Sequence, residues 1–283
     1  MSEAQSNVVF IGPPGAGKTT AMLLLLHTIA DYKDELGIIN FTPLVRTGGV
    51  NIFADAGRLV RQGIPPEPSP VEAKDIKLEL SIEFRGFPLG KRVSLVFADM
   101  AGRITETLLK IFPEIARQTP REVQDTLRAY GLSEEDVQYL INKVFTSKGF
   151  ILVASLMKVG PEYEDPDAQF SSFMNNFVTY RRARMRGEKL KGVAVLITFW
   201  DRMLVPVDRE NVLKDLLPIT STFIENRRLV ERSAIFLSGI YGEYRTSSGE
   251  TRFPVETDSK GRRRINYTVD EYKNLVMWIR DTF

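Results

Sequence analysis

The chain has 283 residues, of which 43% are hydrophobic, and this is enough to build one large domain or two small ones. Its 38 basic residues are nearly balanced by 36 acidic ones, so the net charge of +2 gives no indication of nucleic-acid binding. The sequence contains no cysteine, which excludes disulfides and thiolate metal sites.

Targeting and membrane-spanning segments are not recognisable in the sequence. Residues 1–7 are polar, and the longest apolar stretch near the start, 21–26, is too short to span a bilayer. Ser2 stands where myristoylation requires glycine, and the chain has no C-terminal cysteine for prenylation. We therefore expect a cytoplasmic protein without an integral membrane segment.

Apolar periodicity and turn residues predict that strands and helices alternate along most of the chain. The predicted elements of the first part are a strand at 7–11, a helix at 18–32, a helix at 48–62 that ends at Gly63 and a proline-rich segment, and a hairpin with strands at 75–84 and 92–98.

The second part is predicted to begin with helices across residues 104–148, where Gly131 is a stop signal and Ser133 a start signal. The elements that follow are a strand at 149–156, a helix at 170–186, a strand at 193–199, a helix at 211–232, a strand at 234–238 and a helix at 269–282. This alternation predicts a three-layer α/β fold, with a mostly parallel sheet, one antiparallel hairpin strand and helices on both faces. We expect residues 1–283 to form a single domain, with a helical insertion at about 104–148.

One short loop carries the strongest functional signal. Residues 12–19 fit G-x-x-x-x-G-K-[ST] and lie between a predicted strand and a predicted helix, as a phosphate-binding loop does. The backbone N–H groups of such a loop converge on phosphate oxygens, Lys18 reaches the β- and γ-phosphates, and Thr19 offers its hydroxyl to Mg²⁺. A chance glycine-rich turn is the alternative. The residues predicted to bind the nucleotide here are Gly12, Pro13, Pro14, Gly15, Ala16, Gly17, Lys18, Thr19 and Thr20.

A second signal is Asp99-Met100-Ala101-Gly102, which follows the apolar strand at 92–98. An Asp at the tip of a strand beside the loop can hold Mg²⁺, usually through water. The backbone N–H of Gly102 can approach the γ-phosphate closely because glycine has no side chain. An ordinary turn Asp is the alternative interpretation of Asp99.

These features resemble the Ras-like GTPases of the P-loop class. The resemblance rests on residues 12–19, on residues 99–102 after an antiparallel hairpin and on two later strand ends, and it covers the strand order of most of the chain. The helix that ends at Gly63 and the prolines after it are similar to the bacterial and archaeal double-GTPase families, and to some prokaryotic Ras-like proteins of unassigned role. The resemblance implies a P-loop NTPase fold that binds GTP or GDP with Mg²⁺.

The resemblance also implies a site for the base. Thr198-Phe199-Trp200-Asp201 corresponds to the family motif [NT]-K-x-D, in which the Asp accepts hydrogen bonds from guanine N1 and N2. Phe199 replaces the family Lys, and its ring can stack on the purine instead. Ser238 and Gly239 resemble the last family motif, whose N–H groups meet guanine O6. The alternative is that residues 198–201 merely end a strand.

The switch residues are less clearly marked. Ser69 fits the place of the family's first-switch Mg²⁺ ligand, and Thr42 and Thr47 are alternatives. Arg103 stands where Ras-like proteins often have the Gln that orients the attacking water. Arg103 is therefore either a built-in arginine finger or a surface residue in a protein with slow hydrolysis. The other candidates for the finger are Arg46, Arg58 and Arg61.

The expected function is a GTP-binding molecular switch with slow GTP hydrolysis, whose partner is an unidentified effector or regulator protein. Residues 104–148 follow the second switch directly, so we expect them to bind that partner or a second copy of the chain. One alternative is a small-molecule or nucleotide kinase, because residues 181–186 hold an arginine cluster, and another is a nucleotide-binding scaffold without turnover. The basic run 260–264 is expected to be a solvated loop, or else a contact for acidic partners or lipid headgroups.

Overall fold

The computed structural model describes residues 6–45, 52–66, 77–86, 90–98, 103–158, 165–184, 189–202, 209–258 and 261–283. The main strands in these ranges are β1 (Ser6–Ile11), β2 (Ile38–Val45), β3 (Lys77–Phe84), β4 (Lys91–Ala98), β5 (Gly149–Ser155), β6 (Leu190–Thr198) and β7 (Val230–Leu237). They form one seven-stranded sheet with the order β2-β3-β4-β1-β5-β6-β7.

The sheet is mostly parallel, as predicted. β1 pairs in parallel with β4 and β5, and β6 pairs in parallel with β5 and β7. β3 is antiparallel to both of its neighbours, β2 and β4, so it alone runs against the other strands of this sheet. The predicted hairpin is confirmed as β3–β4, whereas the edge strand β2 has no counterpart among the predicted elements.

Helices cover both faces of the sheet. They are α1 (Lys18–Asp31), α2 (Ile52–Gln62), α3 (Arg103–Ile115), α4 (Pro120–Ala129), α5 (Glu134–Tyr139), α6 (Pro166–Arg184), α7 (Arg209–Leu216), α8 (Pro218–Glu225) and α9 (Val269–Thr282). Alternate residues of a strand point to opposite faces, so Val8 and Phe10 of β1 pack with α1, α2 and α9, and Val9 and Ile11 pack with the remaining helices. Among the described residues, no helix combines the length and the apolar character needed to cross a bilayer.

The segment predicted as an insertion forms α3, α4 and α5, followed by a π-helical turn at Leu140–Val144. Capping boxes start α4 at Thr119 and α5 at Ser133, and Gly131 between them has a φ of 82°. Phe112 of α3 is fully buried and packs on Phe173 of α6, with ring centroids 4.9 Å apart. These helices therefore contribute to the core and are not an appendage to it.

Several predicted boundaries differ from the structure, and two of these differences have an identifiable local cause. The helix predicted at 211–232 is interrupted at Pro218, so α7 ends at Leu216, α8 begins at Pro218 and β7 already starts at Val230. Proline inside a helix removes a hydrogen bond and clashes with the preceding turn, whereas it fits the first turn of a new helix. The strand predicted at 193–199 ends at Thr198, because Phe199 has a φ of 59° in the left-handed region.

Two short hairpins after β7 have no counterpart among the predicted elements either. β8 (Tyr244–Arg245) pairs with β9 (Thr251–Arg252), and β10 (Val255–Thr257) pairs with β11 (Arg263–Ile265). The expectation of a solvated loop at 260–264 holds for Gly261, which is exposed and outside regular structure, but Arg263 and Arg264 belong to β11. Arg262 and Arg264 both donate to the hydroxyl of Tyr32, and Arg262 also pairs with Asp258. Lys260 lies outside the described residues.

Candidate functional site

The glycines of the loop between β1 and α1 occupy positions that a larger residue would not fit. A Cβ on Gly12 would lie 2.4 Å from the carbonyl oxygen of Val153 in β5, so only glycine allows this approach. Gly15 and Gly17 have φ values of 73° and 82°, which favour glycine. The backbone therefore turns sharply from the sheet into α1, with Gly17 at the N-cap position.

This loop leaves a set of backbone donors open. The N–H groups of Gly15, Gly17, Thr19 and Thr20 have no hydrogen-bond acceptor within the part of the chain that the structure describes. Thr19 and Thr20 belong to the first turn of α1, where N–H groups lack intrahelical acceptors and the helix dipole adds a partial positive charge. Open donors and partial positive charge together suit the binding of an anion.

Lys18 lies next to these donors and is only 9% exposed. Its ammonium group donates to the carbonyl oxygens of Gly12 at 2.7 Å and Pro13 at 3.0 Å. These bonds offset part of the free-energy cost of burying a charge, and they place the ammonium over the loop. The neighbouring Thr19 hydroxyl is half-buried and makes no hydrogen bond with the described residues.

Thr198 connects the loop to the sheet. Its hydroxyl oxygen lies 2.7 Å from the carbonyl oxygen of Ala16 and 3.1 Å from that of Ala154. A Cβ on Gly17 would lie 3.3 Å from the Thr198 side chain, so the two residues are in close contact. The hydroxyl of Thr198, predicted to be near the ligand, therefore positions the loop.

Asp201 is fixed beside the end of β7. Its Oδ1 accepts a hydrogen bond from the Ile240 N–H at 3.1 Å, and its Oδ2 lies 3.3 Å from Nε of Arg202. A Cβ on Gly239 would lie 3.0 Å from Oδ1, so glycine at this position permits the close approach of the carboxylate. The structure thus brings together Asp201 and Gly239, two residues that the sequence assigned to the base site.

The N–H groups of Ser238 and Gly239 are already engaged. The Ser238 N–H donates to the carbonyl of Ile197 at 2.7 Å, and the Gly239 N–H donates to the hydroxyl of Thr268 at 3.2 Å. The Ser238 hydroxyl shares a hydrogen bond of 2.6 Å with Tyr272, whose pKa is raised by burial. A ligand carbonyl here would have to share these N–H groups, so the contact with guanine O6 stays a prediction.

A cleft of about 630 Å³ connects the loop with the base-side residues. It includes Gly17 and Thr20 from the start of α1, and Phe199, Asp201 and Gly239 from the ends of β6 and β7. Its volume is in the range of sites for small molecules and cofactors. The left-handed backbone of Phe199 is unusual for a bulky residue, and such strained residues cluster at functional sites.

Another wall of this cleft was not predicted from the sequence, apart from Arg58 as a candidate arginine finger. It comes from the end of α2, the loop after β7 and the β8–β9 hairpin. Gly63 joins these parts, since its carbonyl accepts a hydrogen bond of 2.9 Å from the Phe253 N–H. The segments share no motif, so no local signal marks them. The residues of this wall include Arg58, Ile64, Pro65, Pro66, Glu243, Glu250, Arg252 and Phe253.

Some predicted residues are not brought to the cleft. Ser69, Thr47, Asp99 and Gly102 lie outside the described residues, and Arg103 begins α3 with a side chain that is likewise not described. Thr42 is exposed in the middle of the edge strand β2. Across the described ranges, no group of three or more His, Asp or Glu residues could hold a metal ion.

No family model matches this chain, and no curated protein resembles it in sequence at a significant level. The case for a function therefore rests on the fold and on the geometry of the loop and cleft.

Proposed function

We propose that this chain is a Ras-like P-loop protein that binds GTP with Mg²⁺, hydrolyses it slowly and works as a nucleotide-dependent switch. The observation that carries the proposal is the set of open N–H groups at residues 15, 17, 19 and 20, next to the buried Lys18. In a G-x-x-x-x-G-K-[ST] loop, such donors cradle the α- and β-phosphates and the lysine reaches the β- and γ-phosphates. The parallel sheet supports this site, since its ligands bind at the carboxyl ends of the strands.

Asp201 supports guanine as the base. Its carboxylate lines the cleft and is held in place by the Ile240 N–H. Guanine can donate from N1 and N2 to such a carboxylate, whereas adenine has no donors at these positions, so the contact discriminates strongly. Phe199 lines the same cleft and offers an aromatic face to the purine.

The Thr19 hydroxyl and the position of Asp99 in the sequence fit a Mg²⁺ site of the hydroxyl-and-carboxylate type. The hydroxyl of Thr19 is not engaged by the described residues, and Asp99 is the residue that follows β4, the parallel neighbour of β1. These two residues would hold the ion, with Ser69 as the candidate ligand from the first switch. Mg²⁺ would neutralise charge on the β- and γ-phosphate oxygens.

Hydrolysis would occur by attack of water on the γ-phosphorus. Lys18 and the open N–H groups of the loop would stabilise the charge that builds up on the phosphate oxygens. Arg103 follows Gly102 where related proteins carry the water-orienting Gln. We therefore expect slow intrinsic hydrolysis, unless Arg103 itself supplies positive charge to the transferring phosphoryl group.

The arginine cluster of α6 gives no support to the kinase alternative. Arg181 is 2% exposed and donates to the carbonyl of Ser147, and Arg184 lies over the ring of Tyr180 at 3.8 Å from its centroid. Arg181 therefore ties α6 to the turn before β5, Arg184 contacts its own helix, and neither side chain lines the cleft.

The output of the switch is proposed to be binding of an effector or regulator protein to α3, α4 and α5. α3 begins at Arg103, directly after the second switch. Self-association of two chains through the same helices is the alternative. Hydrogen exchange across residues 104–148 that is the same with GDP and with a GTP analogue would count against both.

Calorimetric titration of the full chain with GTP, GDP and ATP in the presence of Mg²⁺ tests the proposed function. We expect binding of GTP and GDP but not of ATP. Lys18→Met should weaken GTP binding by about tenfold to hundredfold, the loss expected for a hydrogen bond to a charged group. Lys189→Met is a suitable control, because Lys189 is exposed and directly precedes β6, whereas the cleft lies at the other end of this strand.

Three results would count against the proposal. Equal binding of ATP and GTP would contradict guanine specificity, and no binding of any nucleotide would contradict the proposal as a whole. Absence of phosphate release over many hours would contradict hydrolysis and favour a scaffold without turnover.

A further inference from the structure

Three guanidinium groups line the described part of the cleft, and two of them are neutralised by carboxylates. Arg202 lies 3.3 Å from Asp201 and also pairs with Glu243. Arg252 pairs with Glu250 at 2.6 Å. The charges and donors of these two arginines are therefore engaged within the protein.

Arg58 differs from both. Among the described residues, the carboxylate nearest to it is that of Asp55 on the same helix, at 3.9 Å, which is too far for a hydrogen bond. The Arg58 side chain is half exposed, at 50%. In the described part of the cleft, Arg58 is thus the guanidinium group that keeps its donors for a ligand.

The position of Arg58 along the cleft follows from the helix that carries it. α2 packs against α1, whose first turns give Gly17, Thr20 and Ala21 to the cleft. Lys18 and Thr19, which serve the β- and γ-phosphates and the metal in a loop of this type, do not line the cleft. The phosphate nearest to the cleft is therefore the α-phosphate, which carries the ribose.

We propose that Arg58 binds the α-phosphate of the nucleotide and so holds it between α1 and α2. This inference rests on the proposed function and adds a residue that the nucleotide-binding loop does not supply. The geometry assigns Arg58 a role in affinity and not in cleavage of the γ-phosphate. A guanidinium group suits this role, because its fork of N–H donors matches two phosphate oxygens.

The test uses ligands that differ in the number of phosphates. Guanosine, GMP, GDP and GTP are titrated into the full chain and into Arg58→Ala, with Mg²⁺ present. An α-phosphate contact predicts that the variant loses about tenfold in affinity for GMP, GDP and GTP alike and nothing for guanosine. Arg58→Lys, which keeps the charge and loses the fork, should recover part of the loss.

Arg92→Ala is the matched control. Arg92 is 58% exposed and lies 3.7 Å from Glu83, so its exposure and pairing resemble those of Arg58. It stands near the start of β4, whereas the cleft lies at the carboxyl ends of the parallel strands. We expect it to bind all four ligands like the wild type. Thermal unfolding without ligand should be nearly unchanged in both alanine variants, because both side chains are exposed.

Each other outcome overturns the inference. A loss for guanosine as well would place Arg58 at the nucleoside, and a loss for GTP alone would place it at the γ-phosphate as an arginine finger. An unchanged affinity for all ligands would show that Arg58 makes no contact. If the wild type binds none of the ligands, the proposed function fails and the inference fails with it. If the wild type binds the nucleotides and Arg58→Ala binds them equally well, only the role of Arg58 is rejected.

Discussion

Gly63 follows the last residue of α2 and connects this helix to Phe253, just after the β8–β9 hairpin, so Gly63→Ala should destabilise the protein. Its φ of 69° costs a residue with a Cβ about 1 kcal/mol. That Cβ would lie 1.9 Å from the Phe253 carbonyl oxygen, so the chain at Phe253 must move. The bond from the Phe253 N–H to the Gly63 carbonyl, 2.9 Å long, is then weakened at a cost of about 1 kcal/mol.

The total of about 2 kcal/mol should lower the melting temperature by about 4–8 °C in a thermal unfolding experiment. Gly57→Ala is the matched control on the same helix, since a Cβ there meets nothing within 4 Å. Alanine has the higher helix propensity, so this variant should be more stable by about 0.5–1 kcal/mol. A melting temperature of Gly63→Ala equal to or above that of the wild type would refute the reasoning about the joint between α2 and Phe253.

Three further changes test separate parts of the structure. Lys143→Met leaves the carboxylate of Glu79, which is 3% exposed, without its 2.9 Å ion pair. The free energy of unfolding, measured in urea, should therefore fall by about 2 kcal/mol or more, and adding Glu79→Gln to this variant should restore part of the loss. Burial lowers the pKa of His27 below its ordinary 6.5, so the unfolded chain binds more protons than the folded one and stability should fall as the pH drops below about 6.5. His27 is the only histidine of the chain, so a His27→Gln variant whose stability has the same pH dependence as the wild type would contradict this. Asp201→Asn should weaken GDP binding by about a hundredfold and improve binding of xanthosine diphosphate, because the new amide can donate a hydrogen bond to the xanthine carbonyl. If calorimetry shows that the variant still prefers GDP as the wild type does, Asp201 does not contact the base.

The sequence was most informative where one element has a long, regular pattern. The helix that starts at Lys18 and the final helix from Val269 were predicted to within one residue at either end. The edge strand β2 was missed because Pro43 interrupts its pattern, although proline is compatible with an edge strand. Pro218 was missed as a helix boundary because the apolar spacing continues across it. The strands of β8–β11 have two or three residues each, too few to show an alternation.

In the candidate site too, residues could be predicted from the sequence only where a local pattern marks them. Residues 12–19 could be singled out because they form a contiguous motif. Asp201 and Gly239, which the sequence assigned to the base site, lie in contact in the fold. The role of Thr198 as a support for the loop depends on a hydrogen bond to Ala16, which only tertiary structure reveals. Arg58 was one of several candidate cations in the sequence. The structure distinguishes it because Arg202 and Arg252, the other two arginines of the described cleft, are paired with carboxylates.

The central claim, a guanine nucleotide bound by the loop after β1, is tested most directly by thermal unfolding with GDP and with ADP, each with Mg²⁺. A ligand at a hundred times its dissociation constant stabilises the folded state by about 2.7 kcal/mol, which raises the melting temperature by about 5–10 °C. We predict this rise with GDP and none with ADP, and in Lys18→Met a rise with GDP of at most about half that size at the same ligand concentration. An equal rise with ADP, or no rise with either nucleotide, would contradict the account.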